Sequence, residues 1–502
     1  MAAPLGQSWL AEHFGITSFQ LGKRFEVGGR AALRVEADVE VEVLAAKAAR
    51  PGDPFAHLEF AARYEALSLA LLKQVFERLD AASPGYLGMR IAAKPTGLFA
   101  RRCGALYELL TGRTLDVVAG GRYETLLDPA HHVTSAVSTR LEKWKLIVNL
   151  PGDANYCPVI ANTAAIQALR ARNWQEEFRE IVRQFPAELF ARATQYLYSK
   201  ETKSSFQIER ESAENSRGQR FLAALREAGQ EDAAFALAEP RLVGIQRGIV
   251  QSRVAAASFR TEQNYVGETV RAGYERVDYI CPPPELVYPL IAGLQSTYVK
   301  LKDLDPVIAA GCASFGFVFI HPFEDGNGRL HRYLIHDVLA RAGLFAPGVI
   351  VPVSARMESD RAAYDRALEA YSRRVMACAR YQLDDQMRLT LLNASEVEPL
   401  YRYPDLTEQV AYTGRILEQS LTQDLIGELQ FLAGYDRSRQ LIDAKYDLRA
   451  RELDLLLRLI SQNSGQLAKG KRAHFAMLSD AEIADIESIV RRAFLGSYGS
   501  AA

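Results

Sequence analysis

The sequence predicts a mainly α-helical chain with one small β-hairpin. Apolar residues recur at helical spacing through most of its 502 residues, and breaks containing glycine or proline separate these stretches. Only a few short segments alternate apolar and polar residues in the way that strands do. At roughly 100–200 residues per domain, a chain of this length holds two to four domains.

The composition is that of an ordinary globular protein, with 48% hydrophobic and 24% charged residues. Lysine and arginine total 60 and aspartate and glutamate 61, so the net charge of −1 supplies no long-range field that would attract nucleic acid or an acidic membrane. We expect neither as a partner.

Two further features concern the cellular compartment. The five scattered cysteines contain no C-x-x-C pair, which suits a reducing compartment. The N-terminus shows no basic segment followed by an apolar one, and the longest apolar run, 307–320, is shorter than the roughly 20 residues that cross a bilayer. We therefore expect a cytoplasmic protein.

The first half of the chain divides into two predicted regions. Residues 35–45 alternate apolar and acidic residues, which predicts a half-exposed strand, and helical periodicity follows over 54–110. A looser stretch with glycine and proline turns, 111–161, contains the first boundary. We expect a mostly helical N-terminal domain with a short β segment at 1–115, and a connecting region followed by helices at 116–240.

The second half contains the predicted hairpin and two adjoining helices. Two β-prone pieces within 265–280 are closed off by three consecutive prolines. An Asp-Pro pair opens a buried helix at 306–320, and a glycine-rich turn starts the next helix, at 326–343. We expect these elements to form a core domain at 241–375, followed by a helical C-terminal domain at 376–502.

The most informative stretch of the chain is His321-Pro-Phe-Glu-Asp-Gly-Asn-Gly-Arg-Leu-His-Arg332. A buried helix delivers a histidine and then a carboxylate into a glycine-rich turn, which becomes the N-terminus of the next helix. Converging backbone N–H groups and the positive end of the helix form a nest for an anion. Arg329 and Arg332 project from one helix face beside it. This set suits a nucleotide polyphosphate with a divalent metal.

Each side chain has a place in that chemistry. Asp325 would hold the metal, the two arginines would pair with phosphate oxygens, and His321 can take a proton from an attacking hydroxyl. The simpler interpretation is a helix–turn–helix with a structural histidine and surface arginines. A zinc site is disfavoured because His331 and His336 are five residues apart, which is about 140° around a helix.

The stretch resembles the signature of the Fic family, H-P-F-x-[DE]-G-N-G-R-x-x-R, at every defined position. The resemblance spans about 243–374, and the flanking segments look like those of long bacterial Fic proteins. It implies a helical Fic core whose hairpin docks a target protein. It also implies transfer of AMP from ATP, with Mg²⁺, to a Ser, Thr or Tyr hydroxyl of that target, the chain itself included, and release of pyrophosphate.

Carried over by position, the resemblance makes His321 the base and Asp325 the Mg²⁺ ligand. It assigns the binding of the phosphates to Gly326, Asn327, Gly328, Arg329 and Arg332. Gly328 favours transfer of AMP, because the Doc-like kinases of this superfamily have lysine at that position and bind ATP reversed. The alternative for the docking hairpin is a plain surface hairpin.

A second resemblance precedes the core: K-S-S-F-Q-I-E is similar to the inhibitory helix of the family, [ST]-x-x-x-E-[GN]. Ser205 and Glu209 match, whereas Arg210 replaces the usual Gly or Asn. In the family this glutamate pairs with the second arginine of the site, which implies a class II-like, autoinhibited enzyme. The alternative is a capping box of Ser204 and Gln207 at the start of an ordinary helix, with Glu209 in solvent.

The residues leave further alternatives open. The same fold could remove AMP, or transfer another nucleotide or a phosphocholine group. The chain could also be a nucleotide-sensing regulatory protein whose helical ends bind a partner. Neither the target protein nor the oligomeric state, a homo-oligomer included, follows from the sequence.

Overall fold

The computed structural model describes residues 3–17, 21–36, 39–45, 52–213, 216–271, 274–346 and 348–498. Within these ranges the chain is mainly helical and carries small sheets of two to four strands, as the sequence predicts. A large hydrophobic core includes buried residues from Leu10 to Leu429, and a smaller one includes residues from Ile442 to Val490. No helix in the described ranges has the length and apolar character needed to cross a bilayer.

The N-terminal region packs helices beside a four-stranded sheet. Its elements are β1 (Ala3–Pro4), α1 (Gly6–His13), β2 (Lys23–Gly28), β3 (Ala32–Glu36), β4 (Val39–Ala45), α2 (Pro54–Tyr64), α3 (Leu69–Ala82), α4 (Tyr86–Ala92) and α5 (Leu98–Thr111). The strand order is β1-β2-β4-β3, with β4 parallel to β2 and antiparallel to β3.

The prediction of a single strand over 35–45 is wrong. Strand β3 ends at Glu36, β4 begins at Val39, and these two residues pair with each other across antiparallel strands. The alternation holds within β4, where Val41 and Val43 are buried. Because alternation is a property of each strand separately, two successive strands can leave the pattern unbroken in the sequence.

A small sheet and a run of helices connect this region to the core domain. The elements are β5 (Glu124–Thr125), β6 (Thr139–Leu141), a 3₁₀ turn (Glu142–Trp144), β7 (Leu146–Val148), α6 (Ala164–Arg170), α7 (Trp174–Arg183), α8 (Ala187–Ile208), α9 (Ser216–Arg226), a 3₁₀ turn (Ala233–Phe235), α10 (Glu239–Ile249) and a 3₁₀ turn (Ser252–Val254). The helices predicted from about residue 161 onwards are confirmed. The most consequential of them is α8, because its C-terminal end reaches the motif.

The core domain is arranged around the predicted pair of helices. Its elements are β8 (Tyr265–Arg271), β9 (Tyr274–Ile280), α11 (Pro284–Leu301), α12 (Pro306–Ile320), α13 (Asn327–Arg341), α14 (Val353–Ser359) and α15 (Arg361–Cys378). Strands β8 and β9 form the predicted antiparallel hairpin. The Asp305 carboxylate accepts hydrogen bonds from the N–H groups of Val307 and Ile308 at 2.9 and 3.0 Å, which confirms the predicted cap of α12.

The C-terminal region is helical except for a hairpin that the sequence did not predict. The elements are β10 (Tyr381–Leu383), β11 (Leu389–Leu391), α16 (Ala394–Arg402), α17 (Thr407–Gln419), a π-helical turn (Ser420–Leu425), α18 (Ile426–Asp443), α19 (Ala450–Ser461), a 3₁₀ segment (Lys469–Phe475) and α20 (Asp480–Tyr498). Strands β10 and β11 pair over three residues each, too few for alternation to be visible in the sequence.

Candidate active site

His321 lies at the C-terminal end of α12 in the left-handed backbone region, with φ of 53°. Its Nδ1 lies 3.1 Å from the carbonyl oxygen of Val318. A carbonyl oxygen only accepts hydrogen bonds, so we assign the ring proton to Nδ1. This tautomer leaves the lone pair of Nε2 as the basic atom of the side chain.

The surroundings of His321 favour the neutral ring. The pKa of His321 is lowered to about 4, mainly by desolvation and to a smaller extent by the Arg260 cation. The hydrogen bond to Val318 and the Glu209 carboxylate act in the opposite direction. The imidazole is therefore neutral at pH 7 and able to accept a proton.

The turn after His321 is held from within. Phe323 is fully buried and packs against Phe259 and Phe317, so its side chain anchors the loop in the core. The Asn327 side chain accepts a hydrogen bond from Phe323 N at 3.0 Å and donates one to Phe323 O at 2.7 Å. The amide of Asn327 thus braces the turn, and its backbone N–H is the group that can face a phosphate.

Helix α13 starts at this turn with its N-terminus towards the site. Gly326 has φ of +90°, and a Cβ at this position would lie 2.8 Å from Cγ1 of Val250, so the turn requires glycine. The N–H groups of residues 327–329 belong to the first turn of α13, where a helix has no carbonyl partners for them. The predicted anion nest therefore has the geometry that it needs.

Asp325 stands beside that nest. Its Oδ1 accepts hydrogen bonds from Gly326 N at 2.6 Å and Arg329 Nη2 at 3.1 Å, and 41% of its side chain is exposed. An accessible carboxylate next to a phosphate-binding turn fits Mg²⁺, which takes one or two carboxylates together with phosphate oxygens. No group of three or more His, Cys, Asp or Glu residues in the described ranges could hold a metal by itself.

The second arginine of the motif is completely buried and bonded to the end of α8. Arg332 Nε donates to Ser205 Oγ at 2.9 Å, and its Nη2 donates to Ser205 O at 2.7 Å and to Glu209 Oε1 at 2.8 Å. Burial raises the pKa of Glu209, but the Arg332 guanidinium outweighs it and holds that pKa below its usual range. Ser205 and Glu209 therefore lie in one cluster with Arg332, which is more than 100 positions away from both in the sequence.

The capping-box alternative for this segment is wrong. Helix α8 does not start at Ser204 but ends at Ile208, after 22 residues, and Glu209 is its C-cap residue. Ser204 and Gln207 therefore lie in its last two turns, away from the free N–H groups that a capping box satisfies.

Gly328 and Glu209 come into direct proximity. A Cβ placed on residue 328 would lie 2.3 Å from Glu209 Oε1 and 3.3 Å from Arg332 Nη1. Any side chain at 328 would therefore displace the glutamate from the arginine. Gly328, which the resemblance to the Fic family associates with AMP transfer, therefore also leaves the space that Glu209 occupies.

The site contains a second carboxylate, Glu211, which the sequence did not predict. Glu211 Oε2 accepts a hydrogen bond from Arg329 Nη1 at 3.0 Å and pairs with Arg217 at 2.5 Å. Arg329 is itself only 1% exposed and also donates to Ile249 O. Both arginines of the motif are thus paired with a carboxylate from the segment after α8. The partners are 118 positions apart, beyond the reach of local pattern analysis.

Arg210, which replaces the usual Gly or Asn, lies between these two carboxylates. Its φ is 57°, the left-handed region that favours glycine and asparagine. Its side chain is 87% exposed and forms an ion pair with Glu268 of β8 at 3.3 Å. The departure from the pattern thus leaves the backbone conformation in place and adds a contact to the hairpin.

The two histidines of α13, His331 and His336, have structural surroundings. His331 is fully buried, with its ring edge-on to Phe315 at 4.6 Å between centroids. His336 Nε2 lies 2.8 Å from Glu201 Oε1 of α8. They have different neighbours and do not form a common site.

Comparison with known proteins shows where the similarity lies. Residues 236–339 match the model of the Fic/DOC family. The protein adenylyltransferase fic-1 of Caenorhabditis elegans is 36% identical over 105 residues, and its counterpart in Caenorhabditis briggsae is 34% identical over 107 residues; each alignment covers 21% of this chain and 19% of the relative. The chain thus spans about a fifth of the length of the curated relatives it matches.

Solved structures of Fic proteins are also similar to this chain. One of them is a Fic domain-containing signalling protein from Bacteroides thetaiotaomicron. Its alignment with this chain covers 54% of this chain and 97% of the signalling protein, with a TM-score of 0.36 and 17% identity. The whole stretch from His321 to Arg332 falls within the segment that matches the family model. The similarity to the Fic/DOC family is therefore located in residues 236–339.

Proposed function

We propose that the chain is a protein adenylyltransferase that transfers AMP from ATP to a Ser, Thr or Tyr hydroxyl of a target protein. The observation that carries this proposal is His321, neutral and with Nε2 as its basic atom, next to a helix N-terminus and two arginines. The curated relatives matched over this segment are themselves named protein adenylyltransferases.

In the proposed reaction, the target hydroxyl oxygen forms a bond to the α-phosphorus of ATP. The bond from that phosphorus to the bridging oxygen of the β-phosphate breaks, and pyrophosphate leaves with the bonding electrons. The hydroxyl proton passes to His321 Nε2 as the attacking oxygen develops charge. The products are the adenylylated target, pyrophosphate and the proton, which His321 then releases to solvent.

The remaining groups act on the phosphates. Phosphate oxygens bind to the backbone N–H groups of residues 327–329 and to the guanidinium groups of Arg329 and Arg332. Charge-assisted hydrogen bonds of this kind are strong in a desolvated site. Asp325 is placed to hold Mg²⁺, which would neutralise phosphate charge when bound. Gly326 and Gly328 contribute by allowing the backbone to approach the phosphates closely.

The hairpin is the proposed docking element for the target. Strands β8 and β9 pair only with each other in the described part of the chain, so each has an outer edge to which an extended segment can add by backbone hydrogen bonds. Recognition through the backbone does not select one target sequence, so a second copy of the chain is among the candidate targets. The scattered cysteines, which contain no C-x-x-C pair, and the balanced charge support a cytoplasmic location.

The proposed enzyme is autoinhibited by Glu209. Its carboxylate holds Arg332 at 2.8 Å, so a phosphate group cannot use that cation while the contact persists. Glu211 holds Arg329 at 3.0 Å in the same way. The segment after α8 thus supplies one carboxylate for each arginine of the motif. Glu209 and Glu211 would in this way occupy the arginines in place of two phosphate groups.

Labelled ATP tests this function. The purified full-length chain is incubated with Mg²⁺ and with ATP labelled at either the α- or the γ-phosphate, and the protein fraction is counted. Label from the α-phosphate on protein supports AMP transfer. Label from the γ-phosphate would indicate kinase chemistry, and binding of ATP without any label on protein would indicate a nucleotide sensor.

A further inference from the structure

One buried arginine outside the motif makes contact with the base. Arg260 lies just before the hairpin and is 5% exposed. Its side-chain nitrogens donate hydrogen bonds to backbone carbonyl oxygens. Nε donates to His321 O at 2.7 Å, Nη1 to Glu262 O at 2.8 Å, and Nη2 to Pro282 O at 2.6 Å and to Ile320 O at 3.4 Å. Its backbone N–H donates to Pro322 O at 2.8 Å.

The electrostatics of α12 explain why a cation is stable in this place. Ile320 and His321 stand at the C-terminal end of the helix, where the carbonyls lack helical partners and the helix dipole is negative. In the described ranges Arg260 has no carboxylate within ion-pair distance, unlike Arg241, Arg329 and Arg332. A buried guanidinium without a counter-ion is costly, so here the carbonyl dipoles must stabilise it.

We propose that Arg260 is a positioning residue for the base, one that fixes the backbone of His321 and thereby the direction of Nε2. The proposal rests on the proposed function, in which Nε2 takes the hydroxyl proton. His321 has φ of 53°, a conformation that is unfavourable for a residue with a Cβ. The short bond from Arg260 Nε to its carbonyl oxygen stabilises that conformation. Since these N–H groups face carbonyls, Arg260 is not a phosphate ligand.

The same guanidinium also ties the base to the docking hairpin. Pro282 lies two residues after the end of β9, and its carbonyl oxygen accepts a hydrogen bond from the same Nη2 that donates to Ile320 O. One side chain thus joins the exit of the hairpin, where the target would lie, to the end of the helix that carries His321. A planar fork with several N–H groups can do this, whereas a lysine ammonium cannot reproduce the geometry.

The charge of Arg260 has a separate effect. The charged groups that face the His321 ring are Arg260, which lowers its pKa, and Glu209, which raises it. Loss of the positive charge should therefore move the pKa of His321 upwards from about 4, towards the ordinary value of 6.5. Replacement by lysine retains the charge and loses the fork, while replacement by glutamine loses both.

Three variants separate these roles from simple loss of stability. Arg260→Lys should lower kcat by about 100-fold while KM for ATP changes by less than ~3-fold, because misplacement of a catalytic group by about 1 Å has an effect of this order. Arg260→Gln should in addition shift the acid limb of the kcat–pH profile to higher pH. The matched control is Arg102→Lys, since Arg102 is also buried and donates to two carbonyls, Thr125 O and Ala62 O, far from the motif.

The control sets the outcome that overturns the proposal. If Arg260→Lys loses no more kcat than Arg102→Lys at an equal loss of melting temperature, Arg260 is only a stabilising residue. Proportional changes in kcat and in ATP affinity would lead to the same conclusion. In all variants the melting temperature is measured first, and kinetics are compared below it.

A readout that needs no activity distinguishes failure of this inference from failure of the proposed function. Imidazole NMR of ¹³C-labelled protein follows the titration of His321, which is assigned by the signal that His321→Gln removes. Arg260→Gln should raise its pKa, and an unchanged pKa overturns the electrostatic part of the inference. If the wild-type chain transfers no label but this titration still shifts, the proposed function is wrong and the link between Arg260 and His321 stands.

Discussion

Glu209→Gly should activate the enzyme. In the wild-type chain Glu209 Oε1 lies 2.8 Å from Arg332 Nη2, and the arginine side chain is fully buried. Removal of the carboxylate frees the Arg332 guanidinium. This group can then donate an equivalent charge-assisted hydrogen bond to a phosphate oxygen. Such a bond contributes about 1.5–3 kcal/mol. At 1.36 kcal/mol per factor of ten, activity should rise by roughly ten- to a hundred-fold.

The assay is auto-modification of purified protein with ATP labelled at the α-phosphate, read as initial rate against ATP concentration. Glu209→Gln keeps the shape of the side chain and removes its charge, so its rate should lie between the wild-type and Glu209→Gly rates. Glu188→Ala is the matched control, because Glu188 is an exposed glutamate in the first turn of the same helix. It should leave the rate unchanged.

A double variant tests whether the effect runs through Arg332. If the carboxylate inhibits by occupying this cation, Glu209→Gly should give no increase in an Arg332→Ala background. The reasoning is refuted if Glu209→Gly is no more active than wild type. It is also refuted if the increase persists without Arg332, since the glutamate would then act elsewhere.

Other parts of the structure lead to further expectations. Glu211→Gln should lower the KM for ATP by roughly 3–10-fold. This effect is smaller than that of a full charge-assisted hydrogen bond, because Arg329 keeps other partners. Asp325→Ala should lose Mg²⁺-dependent transfer, measured as the rate of transfer in a metal titration compared with wild type. Burial lowers the pKa of His132 to about 4, and its Nε2 accepts a hydrogen bond from Leu67 N at 2.7 Å. As the pH falls below 6.5, this histidine therefore becomes protonated in the unfolded chain while it stays neutral in the folded chain. The chain should lose about 2 kcal/mol of stability from this group by pH 5, and His132→Gln should flatten that part of the curve of melting temperature against pH.

The sequence was sufficient where local chemistry determines the structure. The Asp305 cap, the helix 306–320 and the glycine turn before α13 follow from side chains that act on neighbouring backbone groups. The motif from His321 to Arg332 could be interpreted for the same reason, since its members lie within twelve residues on one helix–turn–helix.

The sequence was insufficient where contacts join distant segments. Glu211 and Arg329 are 118 positions apart, and Arg260 and His321 are 61 positions apart. Neither pair leaves a periodic signal, because each contact depends on how α8 and the loop before the hairpin pack against the end of α12. The resemblance at Glu209 located one such contact. The capping-box alternative placed a helix start where α8 ends, because serine and glutamine suit a helix start as well as a final turn.

The central claim is that His321 is the base in transfer of AMP to protein. The most direct measurement compares Glu209→Gly with Glu209→Gly/His321→Ala, both incubated with α-labelled ATP, while ATP binding is measured separately. We predict that loss of the imidazole lowers transfer by about 10²–10⁴-fold and leaves ATP affinity largely unchanged, because His321 acts on the hydroxyl and not on the phosphates. Transfer at a near-normal rate by the histidine variant, or label that reaches protein only from the γ-phosphate, would contradict the account.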